Sequence, residues 1–172
     1  MNITTADPKF ILRFAKPEDV PLVLKFIFDL AEFEKLRDSV VATEADVHEA
    51  LFGERPAAEA VIGFYDGVPA AFAIFFHNFS TFLCKPGLYL EDLYVNPEFR
   101  GKGLGTILLS YLAWLARDRG CARFEWWVLD WNESAIRFYR SLGARPMDEW
   151  TVQRVAGEAL EALANSFQPH NG

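Results

Sequence analysis

Arg100-Gly101-Lys102-Gly103-Leu104-Gly105 follows an apolar and aromatic run, Leu88-Tyr89-Leu90-Glu91-Asp92-Leu93-Tyr94-Val95. Glycines at this spacing let a backbone come close to a ligand and adopt angles barred to other residues. Where such a loop opens a helix, its bare N–H groups and the positive helix end can hold phosphate. Arg100 and Lys102 can add charge there. Alone, the glycines fit an ordinary turn equally well. Glu91 and Asp92 stand inside the apolar run, where carboxylates are costly without a purpose. Neighbours in a regular strand face opposite sides, so both acids reach one site only if the strand is distorted.

Two familiar phosphate loops do not fit. A dinucleotide fingerprint needs G-x-G-x-x-G with an acid about 20 positions on, and a nucleotide-hydrolase loop needs G-x-x-x-x-G-K-[ST]. The pattern here is Arg100-x-x-Gly103-x-Gly105. Cys84 and Cys121 lack metal-ligand spacing and imply no disulfide framework. His77 lies after a strand, where it can border a pocket, and His48 suits a solvated helix face. Neither has a metal-site partner at useful spacing, so no metal is expected.

The elements that must position these residues can be read from periodicity. Phe10 to Phe14 reads as a strand, and Pro17-Glu18-Asp19 opens a helix to about Phe33 whose apolar positions follow helical spacing. Thr43 and Asp46 form a capping-box pattern for a helix to about Phe52. Ala58 to Tyr65 and Val68 to Phe76 read as strands joined by a tight Asp66-Gly67 turn. Gly87 to Val95 is the next strand, and Gly103 to Arg119 is a helix stopped by Gly120. Arg123 to Leu129 reads as a further strand. Asn132 can cap a helix over Ser134 to Leu142 that Gly143 ends. Trp150 to Val155 reads as a last strand, and Glu158 to Ala164 as a short helix. The order predicts one α/β domain over residues 1–172, its core about 10–155, built on a mixed sheet flanked by helices.

Composition narrows the partners. The chain has 172 residues, 51% of them hydrophobic and 15% aromatic, with a net charge of -7. That charge disfavours nucleic acid and is compatible with a cationic ligand, although acidity also serves solubility. No stretch approaches the roughly 18 consecutive apolar residues of a membrane span. The polar start, Met1 to Lys9, lacks a secretory pattern. A reduced cytoplasmic compartment and no membrane partner are the expectation.

The chain resembles the Gcn5-related N-acetyltransferase (GNAT) superfamily, whose acetyl-CoA loop reads Gln/Arg-x-x-Gly-x-Gly/Ala after a strand and before a helix. Arg100, Gly103 and Gly105 match it. The superfamily's later segment is present as Asn132-Glu133-Ser134-Ala135-Ile136-Arg137-Phe138-Tyr139, followed by Leu142-Gly143-Ala144, and Leu12 to Asp19 matches its usual opening. Tyr89 to Val95, Trp131-Asn132-Glu133 with Phe138-Tyr139, and Ala31-Glu32-Phe33-Glu34 are similar to the diamine group, the spermidine/spermine and thialysine acetyltransferases. Glu32 departs from that group, where a basic residue is common.

The resemblance implies a mostly antiparallel sheet with a splayed strand pair at the acetyl-CoA site and a bulge near Leu93. Acetyl-CoA is then the cosubstrate, held by Leu93, Tyr94, Val95, Arg100, Gly101, Lys102, Gly103, Leu104, Gly105, Asn132 and Tyr139. Leu93 and Val95 offer backbone groups to the pantetheine arm and the acetyl carbonyl. Tyr139 is the candidate general acid for the leaving thiolate; the plain alternative is a tyrosine that packs its helix on the sheet. Asn132 caps its helix, contacts CoA, or does both. The attacking amine must lose a proton. Glu91 is the candidate to remove it through water, with Asp92 and Glu34 binding distal ammonium groups; Glu34 also suits a solvated helix end. The implied reaction is direct acetyl transfer to a small di- or polyamine or a lysine analogue such as thialysine, by a homodimer. Another amino acid, a protein amine, or a non-catalytic CoA-binding role are the alternatives.

Overall fold

A computed structural model describes residues 1–167. They group into two compact units, Met1–Trp127 and the described part of Val128–Gly172.

The first unit is built on six strands: β1 (Ile3–Thr4), β2 (Phe10–Phe14), β3 (Glu59–Tyr65), β4 (Val68–Ser80), β5 (Lys85–Val95) and β6 (Phe124–Trp126). They lie side by side in chain order. Every neighbouring pair is antiparallel except β5 and β6, which run parallel. The mixed, mostly antiparallel α/β class is therefore present. The β3–β4 turn has left-handed angles at both Asp66 (φ 48°) and Gly67 (φ 81°), the conformation that suits the twist of a two-residue hairpin.

Helices α1 (Val20–Phe33) and α2 (Glu44–Phe52) cover one face, and α3 (Leu104–Asp118) packs on β4 and β5. Val20, Val23, Phe26 and Leu30 of α1 meet Ala60, Ile62, Phe72 and Tyr94 of the sheet in one buried cluster. Phe26 stacks on Phe72 with ring centroids 5.0 Å apart. The alternate strand residues Val61, Ala71 and Ala73 are also buried, on the opposite face. Leu104, Leu108, Leu112 and Leu115 form the buried stripe of α3.

Polar contacts fix the ends of these helices. Thr43 Oγ1 accepts from Asp46 N–H while the Asp46 carboxylate accepts from Thr43 N–H at 2.8 Å, completing the expected box on α2. Arg13 Nη2 donates to the buried Asp19 Oδ1 at 2.8 Å, and Lys16 N–H donates to Oδ2 at 2.8 Å. These contacts hold the Asp19 carboxyl below its ordinary range, against the opposing effect of burial. Arg119 at the end of α3 pairs with Glu59 of β3.

Several boundaries differ from the sequence reading. The two-residue β1 was not expected; its pairing with Leu12 and Ile11 is a tertiary contact with too little local pattern to announce it. β4 runs on to Ser80 and places His77 inside the strand, exposed, opposite Leu88. The strand expected over Arg123 to Leu129 is shortened to Phe124–Trp126, because its ladder on β5 ends at the Leu90–Trp126 pair. The strand expected over Trp150 to Val155 is not formed: those residues are exposed and take part in no ladder. Its alternation suits a strand, but a strand needs a neighbour to satisfy its backbone.

The second unit holds α4 (Glu133–Ser141) and α5 (Glu158–Asn165). Asn132 Oδ1 accepts from Ala135 N–H at 3.2 Å, so the expected cap on α4 is in place. Gly143, with φ 89°, ends α4; its N–H bonds Arg140 O and the next N–H, of Ala144, bonds Tyr139 O. This closing motif fixes the last turn of α4, from which Tyr139 projects.

Candidate active site

Glu91 sits at a β-bulge. Ile74 pairs with Asp92 and Phe75 with Leu90, which leaves Glu91 as the extra residue on β5. The bulge lies two residues before Leu93, where the resemblance placed it. It resets the alternation that would send Glu91 and Asp92 to opposite faces. Glu91 is exposed and Asp92 partly buried. The Asp92 carboxyl is pushed up to about 6 by burial first, then by the negative charges of Glu91 and Glu34.

Glu34 reaches this cluster from another element. It is the C-cap of α1, and its N–H bonds Leu30 O at 2.9 Å. Lys35 then turns left-handed (φ 63°), and Leu36 N–H closes on Ala31 O at 2.7 Å. This Schellman turn stops the helix immediately after the acid. Burial raises the Glu34 pKa. Three acids expected to act together, Glu34, Glu91 and Asp92, thus share one electrostatic environment. The charges of Glu91 and Glu34 act on the partly buried Asp92, so positive charge is stabilised there.

The parallel ladder between β5 and β6 covers only Leu88–Phe124 to Leu90–Trp126. Beyond it, Leu93, Tyr94 and Val95 pair with Ala73, Phe72 and Ala71 of β4. The β5–β6 ladder therefore ends at Leu90, the residue before the bulge. Leu93 and Val95 are partly buried. Tyr94 is 7% exposed, and its ring packs 6.3 Å from Phe26 in the core.

The phosphate loop follows a 3-10 turn over Pro97–Phe99. Gly101 (φ 77°) and Gly103 (φ 76°) are left-handed, so both positions favour glycine. A Cβ on Gly105 would meet only Val95, at 3.9 Å, so packing within the protein does not require glycine there. Leu104 is buried beneath the loop. Gly103 caps α3 without a side-chain acceptor, and the first turn carries no acid. The orphan N–H groups of that turn, with the helix dipole, suit an anion such as a pyrophosphate. Arg100 Nε donates to Val95 O at 3.0 Å, and the Arg100 guanidinium lies 4.9 Å from the Phe33 ring and 5.5 Å from the Tyr94 ring. Lys102 Nζ lies 5.3 Å from the Tyr65 ring. The loop residues thus fit a phosphorylated cosubstrate by backbone geometry and by charge.

The first unit holds the acids, Leu93 to Val95 and the loop from Arg100 to Gly105; Asn132 and Tyr139 stand on the second unit, at the start and near the end of α4. The aromatic seat of Arg100 was missed in the sequence. Its one signal was Phe33, placed immediately before Glu34. Among the described residues, no group of three or more His, Cys, Asp or Glu is arranged to hold a metal ion. No described helix is long and apolar enough to cross a membrane.

Residues 25–144 match the model of the Acetyltransferase (GNAT) family. The chain is 36% identical to the thialysine N-epsilon-acetyltransferase of Sus scrofa, over 90% of this chain and 96% of that protein. It is 33% identical to the L-ornithine N5-acetyltransferase NATA1 of Arabidopsis thaliana, over 88% of this chain and 86% of that one. An integron cassette protein from the mobile metagenome of V. cholerae has the same fold, with a TM-score of 0.76 at 26% identity, over 91% of this chain and 98% of its own. Loop and family match agree: the chain belongs to the acetyltransferase (GNAT) family and is an N-acetyltransferase enzyme.

Proposed function

We propose that this enzyme uses acetyl-CoA to acetylate one amino group of a small di- or polyamine, or of a lysine analogue such as thialysine. The observation that carries the reading is the Asp92 carboxyl, raised to about 6 by its burial and by Glu91 and Glu34. Such a cluster binds a substrate with a second positive charge better than a monoamine. The relatives named for thialysine and L-ornithine act on side-chain amines, which supports the same substrate class.

In this reading the backbone of Arg100 to Gly105 holds the pyrophosphate, with Arg100 and Lys102 adding charge. Leu93 and Val95 present backbone groups to the pantetheine arm and the acetyl carbonyl, and Asn132 contacts the cosubstrate beyond its role as a cap. Bound acetyl-CoA supplies the acetyl thioester. Glu34 and Asp92 hold the distal ammonium, Glu91 takes the proton of the reacting ammonium through water, and Tyr139 donates a proton toward the departing sulfur. Transfer is direct, with no acetylated enzyme. The raised pKa of Asp92 favours a second assignment, in which Asp92 accepts the proton and Glu91 helps bind. Both units form one domain in this reading, no metal takes part, and the enzyme works as a cytoplasmic homodimer.

The test is acetyl-CoA-dependent thiol release against thialysine, lysine, ornithine, putrescine, spermidine, spermine and several monoamines. Preference for dicationic acceptors, reduced in Glu34→Gln, together with slower turnover of every acceptor in Tyr139→Phe, supports the reading. Equal rates with monoamines, or turnover only with a protein amine, would overturn the substrate class. Glu91→Gln and Asp92→Asn separate the two assignments, since the base variant loses kcat and the binding variant chiefly raises the amine KM.

A further inference from the structure

We propose that Phe33 is a positioning residue: its ring seats the Arg100 guanidinium and so couples occupation of the phosphate loop to the placement of Glu34. The inference rests on the roles given above to the loop and to Glu34. Arg100 is the first residue of the loop, and it is exposed. An exposed arginine is ordinarily mobile, yet this one has three holds: its Nε on Val95 O at 3.0 Å, the Phe33 ring at 4.9 Å and the Tyr94 ring at 5.5 Å. A planar guanidinium stacked on aromatic faces is preorganised for phosphate.

The two rings differ in what else they do. Tyr94 is a core residue, 7% exposed and packed near Phe26. Phe33 is 42% exposed, too open to be explained by filling the core. It is the last residue of α1, and the next residue is Glu34 at the helix cap. A phosphate that fixes Arg100 therefore restricts the end of α1 that carries Glu34. An ammonium that fixes Glu34 restricts Arg100 in return, because coupling between two binding sites is reciprocal.

The experiment is calorimetric titration of CoA into the full enzyme, alone and saturated with the best amine of the acceptor panel; without an acetyl group no turnover occurs. The diamine is expected to tighten CoA about fivefold in the wild type. Phe33→Leu brings that factor close to one, and Phe33→Tyr, which keeps the ring, retains it. A ring that only packs would shift the affinity for CoA alone and with amine alike, leaving the factor between them unchanged. Coupling that is absent in the wild type, unchanged in Phe33→Leu, or lost equally in Phe33→Tyr overturns the inference while leaving the proposed function standing, provided both ligands bind. Failure of CoA or of every amine to bind overturns both.

Discussion

Glu34 at the end of α1 and Asp92 on the bulged strand β5 repel one another, and this repulsion helps hold the Asp92 carboxyl up to about 6. Two elements distant in the chain are stopped and bent so that the charge of Glu34 acts on Asp92. The Schellman turn at Lys35 stops one, and the bulge at Glu91 bends the other.

Activity should follow the ionisation of Asp92. Its carboxylate is the useful form whether it accepts a proton or holds an ammonium, so kcat/KM for a diamine should rise with pH through about 6. In Glu34→Gln that limb should move to lower pH, because a repelling charge is gone. A kcat/KM profile from pH 5 to 9 for both enzymes checks the shift and its direction.

The same acid should make the protein less stable when ionised. Asp92 has a folded pKa above its ordinary 3.8, so the native state holds the proton more tightly than the unfolded chain. Full stability is present below about 3.8 and is lost as pH rises through about 6. Asp92→Asn is expected to gain on the order of 2 kcal/mol at pH 8 and nothing at pH 3.5. Denaturant unfolding at the two pH values measures the difference.

Asp19 should behave in the opposite sense. Its pKa is lowered by Arg13, so its contribution is present above the ordinary carboxylate pKa and disappears as pH falls through the folded value. Asp19→Asn should cost about 2 kcal/mol at pH 7, by leaving Arg13 without its carboxylate partner, and much less in acid. Urea unfolding of the variant at pH 7 and pH 3 checks both halves.

The loop glycines should separate by backbone geometry. Gly103→Ala forces a left-handed angle on a side chain and should cost about 1 kcal/mol. Gly105→Ala lies inside α3 in ordinary contact with Val95 and should gain about 0.5 kcal/mol. Midpoints of urea unfolding for the two variants should move in opposite directions.

What the sequence made legible was local. The Thr43–Asp46 box, the Asp66–Gly67 turn, the Asn132 cap and Gly143 each carry their own chemistry, and each forms as read. The acids and the loop were legible because charged and glycine residues interrupt apolar runs. The hidden features depend on other strands. β1 exists through β2, β6 ends where its ladder on β5 ends, and the Glu91 bulge is a matter of register between β4 and β5. The seat of Arg100 on Phe33 brings two distant elements together, and no spacing along the chain announces such a contact.

Selection of a second ammonium by Glu34 is tested by the ratio of kcat/KM for a diamine to that for a monoamine of equal length, in the wild type and in Glu34→Gln. A wild-type ratio above about 10 is expected, from one charge-assisted contact to the second ammonium, with a fall of at least about fivefold in Glu34→Gln. A ratio near one in the wild type, or a ratio unmoved by the substitution, would contradict it.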